Sequence, residues 1–151
     1  MGAVNAGRIC VELFYRYRHH NYYGLLGLEF KPKDEPAGLE LEINYTDENT
    51  EHYQSEISKY DDMIYCGLTR EYVPDIKRGI MDKIQKLNGF YHGSIAVSCG
   101  ANSEIGSSPW IFETVSGIAV EFFYRMQENK AVDLAECFKS TLVSCGIITE
   151  D

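Results

Sequence analysis

Chemistry in this chain would have to start from four histidines, five cysteines and a run of carboxylates. His19 and His20 are adjacent, so on a strand they point to opposite faces, and a metal would need further ligands. His52 and His92 are distant in sequence and add none. Cys10, Cys66, Cys99, Cys137 and Cys145 are odd in number and contain no C-x-x-C pair. They read as core thiols of a reducing, cytoplasmic compartment rather than as a disulfide framework or a zinc site. Ser98-Cys99-Gly100 lacks the G-x-S-x-G of a nucleophile elbow. Cys99 with His92 would make a thiol–imidazole pair, but burial of Cys99 at a strand end is the simpler reading. Glu40 and Glu42 share one strand face, as solvent-facing carboxylates commonly do. The sequence therefore assigns no catalytic residue, no cofactor and no metal ligand.

Binding is a different matter. Arg16, Arg18, His19 and His20 gather at one turn, and Asn102 and Ser103 fall in another. These residues are the expected contacts to RNA or to a protein partner, with phosphate contacts positioning the domain. Tyr22 and Tyr23 stand beside the first turn and are expected to stack on bases. The competing reading is an ordinary polar end of a sandwich. Eleven tyrosines suit a protein–protein surface as well as a core, which makes a protein-interaction or homo-oligomerisation module that keeps the fold without an RNA role the alternative. The formal net charge is -9, so the chain is no generic nucleic-acid binder, and phosphate would have to meet a local basic patch. The acid is concentrated, because Asp34 to Asp62 holds ten carboxylates against Lys59. The first twenty residues and the helix after Tyr72 are more basic. That asymmetry either orients a partner or marks a solvated face.

At 151 residues the chain is expected to be one domain with one sizeable core. No apolar run reaches the length of a membrane span, and no signal-type segment opens the chain. Ala6 stands where a myristoylation signal would want Ser or Thr.

Alternation predicts strands over Ile9 to Arg16, Tyr22 to Phe30 and Leu39 to Tyr45, joined as an antiparallel meander. Gly24 and Gly27 mark a bulge or close packing. Thr46 to Asp62 is a polar connection with a short helical turn around Glu51 to Tyr60, and Met63 to Thr69 is a brief extended piece. Pro74 opens a helix in which Tyr72, Ile76, Ile80, Ile84 and Leu87 recur at helical spacing, and Asn88-Gly89 stops it. Gly79 inside it points to close packing against a sheet. Ser94 to Cys99 is a strand, Gly100 to Ser107 a turn, and Ser108-Pro109 the cap and first residue of a second helix. Val132 to Ile148 is an apolar tail expected to pack as a short helix or an edge strand. Three strands, then helix, strand, helix, predict an α+β two-layer sandwich with both helices on one face of a four-stranded mixed sheet.

Five segments, in order, resemble the fourth domain of translation elongation factor G and the tetracycline ribosomal-protection proteins. They are Val11-Glu12-Leu13-Phe14-Tyr15-Arg16; Gly38-Leu39-Glu40-Leu41-Glu42; Tyr72-Val73-Pro74-Asp75-Ile76-Lys77-Arg78-Gly79-Ile80; Gly89-Phe90-Tyr91; and Gly100, Ser107, Ser108 and Phe112 at the family's spacing. The resemblance covers residues 8 to 128, leaving 129 to 151 as a tail packed on the domain. It implies the fold of the second domain of the fifth small-subunit ribosomal protein, including a left-handed crossover. It further implies a tip that reaches the decoding centre of the small ribosomal subunit, with no membrane partner. The departures are specific. No G-x-x-x-x-G-K-[ST] occurs, so no GTPase chemistry is expected. Ser103 stands where the family usually has a tip histidine, and Glu104 follows it. Only Arg18-His19-His20-Asn21 replaces the family's long glycine-rich loop. The sequence leaves open whether the chain is a solitary relative or part of a longer factor.

Overall fold

The two faces of the first hairpin pack into separate cores, and this divides the molecule into layers. Ile9, Val11 and Leu13 point to one side of strand β1 (Gly7–Tyr17) and are buried with Leu26, Leu28 and Phe30 of β2 (His20–Pro32). The computed structural model describes residues 4–17, 20–34, 38–49, 51–54, 63–104, 106–128 and 143–150, with backbone alone for 15–17 and 143–150. The remaining elements are β3 (Leu39–Ile43), β4 (Ile64–Cys66), α1 (Val73–Lys86), β5 (Gly93–Ser103), α2 (Pro109–Gln127) and β6 (Val143–Glu150). A 3-10 turn, Arg70–Tyr72, leads into α1.

The sheet runs β3-β5-β2-β1-β6, with β4 pairing the far end of β5. It is mixed, because β3 lies parallel to β5 while the other pairs are antiparallel. The α+β class with helices and a mixed sheet is thus observed. Two expectations need correction. The first three strands are not a meander, since β5 sits between β2 and β3. The sheet also has more than four strands, because β4 and β6 join it. Burial explains the first correction. Tyr23 through Leu28 are all buried, as a central strand covered on both faces requires, whereas Glu40 and Glu42 on β3 are exposed, as suits an edge. From the expected tail region, Val143–Glu150 forms the edge strand, opposite Arg8 to Tyr15. Residues 129–142, and the Glu51 to Tyr60 turn beyond Gln54, lie outside the described residues; Glu51 to Gln54 are not helical.

Both helices share one core with the inner sheet face, where Phe30 and Phe123 stack at 3.7 Å. Pro74 and Pro109 lie in the first turns, as expected. Gly79 makes its close approach to α2 rather than to the sheet. A Cβ at Gly79 would collide with the Glu113 carbonyl oxygen and stand 2.9 Å from Ser116 Cβ. Gly24 serves α2 from the other side, because a Cβ there would lie 2.7 Å from Ile111 Cγ2. The two helices and the hairpin are therefore drawn together at positions that tolerate no side chain.

Two stability tests follow from this packing. Gly79→Ala should lower stability by about 1–2 kcal/mol in urea unfolding, because overpacking at the helix crossing outweighs the alanine's better helix propensity. A raised midpoint would contradict it. Burial pushes the Tyr72 and Tyr91 phenols from the ordinary 10.0 up to about 12. The folded state then holds protons that the unfolded chain releases, so stability should be intact below pH 10 and fall between pH 10 and about 12. Tyr72→Phe with Tyr91→Phe should flatten that fall, and an unchanged alkaline profile would remove burial of these phenols as its cause.

Candidate nucleic-acid interface

Strand register brings the two turns of interest to one end of the sheet. Leu25 pairs with Ala101, so the start of β2 lies beside the end of β5. A closed set of hydrogen bonds fastens them. The Tyr23 amide donates to the Gly106 carbonyl at 3.0 Å, and the Ser107 hydroxyl donates to the Tyr23 carbonyl at 2.7 Å. Within the turn, the Ser103 amide donates to Ser107 Oγ at 2.7 Å and the Gly106 amide to Ser103 Oγ at 2.8 Å. Small hydroxyl side chains suit this turn because they reach backbone groups two to four residues away.

The expected contact residues fall into two groups. Tyr23, Asn102 and Ser103 are buried, contrary to their reading as surface contacts. Tyr23 donates its hydroxyl to the Glu12 carboxylate at 2.5 Å and packs in a small second core with Phe14, Leu25, Ile64 and Ala101. Asn102 exchanges amide hydrogen bonds with Asn49 and donates to the Gly67 carbonyl at 2.8 Å. Ser103 belongs to the turn lattice. The structural reason is that β5 runs on through Ser103, held by β4, where the sequence had signalled a turn from Gly100.

The second group lies at the surface. His20 is exposed and Tyr22 half-buried, with their rings 6.4 Å apart. The Arg16 backbone pairs with Asn21 at the end of the hairpin. The Arg16 side chain, Arg18 and His19 lie outside what is described. Asn21 Oδ1 is buried, and no described residue donates to it.

Trp110 was not singled out by sequence. It is the chain's one tryptophan, 48% exposed, and its ring stands 5.2 Å from that of Tyr22. It sits in the first turn of α2, which carries no acidic residue. The signal available beforehand was its position, just after Pro109 and outside the stripe of Ile111, Phe112 and Val115. Ser108 occupies the N-cap position in an extended conformation but makes no side-chain cap bond, unlike the expected cap. The end of the sheet thus combines an aromatic pair, a helix N-terminus with its partial positive charge and a hairpin free of carboxylates from Leu13 to Leu28. Glu104 is the exposed acid at the neighbouring turn.

The other chemical candidates separate. His92 lies just before β5 and Cys99 within it, roughly 20 Å apart at strand rise, too far for a catalytic pair. Cys99 is exposed rather than buried, because it sits where the β2–β5 register shifts. Glu40 and Glu42 are both exposed on β3, with Lys33 3.7 Å from Glu40. Among the described residues, no three His, Cys, Asp or Glu side chains gather closely enough to hold a metal, and no helix is long and apolar enough to cross a membrane. No family model and no curated protein matches the chain.

Ser107→Ala should cost about 1–3 kcal/mol, since it strips the partners from the Ser103 amide and the Tyr23 carbonyl in one change. It should also release Trp110 from Tyr22, seen as a red shift in tryptophan emission. A variant with wild-type stability and emission would show that the hydroxyl holds nothing.

Proposed function

We propose that this chain is a non-enzymatic, translation-factor-related domain that contacts ribosomal RNA through the end of the sheet where the β1–β2 hairpin meets α2. The observation that carries the reading is the Tyr22–Trp110 pair, half-exposed beside the basic hairpin of an otherwise acidic chain. Aromatic faces accept unpaired bases of any sequence, while arginine and histidine meet the phosphates. The exposed acids Glu40, Glu42, Asp47 and Glu48 turn their own part of the surface away from phosphate.

The segments that resemble the fourth domain of elongation factor G have structural roles here that favour the same reading. Tyr72 packs on Phe112 with ring centroids 4.4 Å apart, and Gly79 admits α2. Ser107 joins the two turns, and Tyr91 packs edge-on against Phe30 while donating to the Ser94 carbonyl at 2.6 Å. A fold like the second domain of the fifth small-subunit ribosomal protein accounts for these positions. Position 103 differs in kind from the family's tip histidine, because the serine closes the turn on itself. Contact in this chain therefore shifts to Trp110 and the hairpin.

A second reading, self-association, has its own observation. β6 is an edge strand beside β1 alone among the described residues, and an edge can pair with a second copy. That reading predicts a concentration-dependent dimer in sedimentation and no ribosome binding.

Co-sedimentation with small ribosomal subunits tests the first reading. Binding should appear at about 50 mM salt and weaken steeply by about 200 mM. Trp110→Ala should weaken it about tenfold or more, as loss of one stacking platform does. No binding at low salt, or binding indifferent to Trp110 and to charge reversal at Arg16 and Arg18, would overturn it.

A further inference from the structure

The sheet face away from the helices is hollow. A concavity of about 660 Å³ lies at that face, bordered by Tyr53 and by Cys66 of β4. Its floor is stripped of side chains at Gly27, where a Cβ would collide with Cys99 Sγ and lie 3.8 Å from Cys10 Sγ. Cys10, Cys66 and Cys99, none in a disulfide, line it together with Leu25 and Tyr53. We propose that this concavity is a binding site for an uncharged aromatic small molecule, independent of the RNA-contacting end.

Three features set the ligand class. The volume falls in the range of small-molecule sites, which are mostly apolar with a few polar groups. Thiol sulfur and the tyrosine ring favour an aromatic guest, because sulfur is polarizable and packs well against ring edges. Charge is disfavoured. The two charged residues that line the concavity, Arg8 and Glu29, pair with each other at 3.6 Å. They compensate one another and leave no ion to select. Inside, burial and the neighbouring Glu51 push the Cys66 thiol up, keeping it neutral at ordinary pH. An ionic ligand would therefore lose its hydration to a neutral wall.

The test uses N-phenyl-1-naphthylamine, an uncharged aromatic fluorophore, on the full chain. Its emission should rise saturably at one molecule per chain. At saturation, alkylation of Cys99 by N-ethylmaleimide, followed by mass spectrometry, should slow about tenfold or more, as an occupied site of this size would shield it. Cys99→Trp should fill the hollow and weaken probe binding by a similar factor while leaving RNA binding unchanged. Should that variant fail to fold, protection of Cys99 in the unaltered chain decides alone. No saturable emission, or saturable emission with Cys99 unprotected, overturns the proposal and leaves the hollow to the chain's own segments.

Discussion

The arrangement where the β1–β2 hairpin meets α2 depends on one small hydrogen-bond lattice, in which Ser103, Gly106 and Ser107 close on the backbone of Tyr23. Each bond in it is worth little net, but an unpaired buried amide or carbonyl would be costly, so the lattice exists as a whole or not at all. With it in place, the first residues of β2 and the first turn of α2 have a fixed separation. Tyr22, packed at the margin of the main core, and the half-exposed Trp110 then meet at 5.2 Å. The glycines at 24 and 79 do the same for the layers beneath, since α2 can lie close to the hairpin and to α1 only where no side chain intervenes.

The proposed link to the elongation-factor domain rests on segments whose residues here fix packing and turn closure, such as Tyr72, Gly79, Tyr91, Ser107 and Phe112. On that proposal, contact falls to the aromatic pair beside the hairpin rather than to the turn at Ser103, whose side chain is used within the turn.

Much of the fold was legible because burial imposes periodicity. The helices and the strands at β1, β2 and β5 announced themselves through spacing, and Pro74 and Pro109 marked the helix starts. Pairing order was not legible. A five-residue alternating strand such as Leu39–Ile43 fits any edge, and only the surroundings place it parallel to β5. The site was half legible. The basic hairpin is local in sequence, but Asn102 and Ser103 carry turn-like side chains on a strand, the first satisfied by Asn49 and Gly67, which lie elsewhere in the chain, and the second by the Gly106 amide. Trp110 escaped notice because a helical stripe says which residues face the core and nothing about what its off-stripe neighbours meet.

Trp110 also supplies the most direct measurement. As the chain's single tryptophan, its emission reports on this end alone. Titration with a short single-stranded RNA at low salt should quench it saturably, and added salt should reverse the quenching. Emission that stays constant through the titration, with the protein folded, would contradict an RNA-contacting role for this end of the domain.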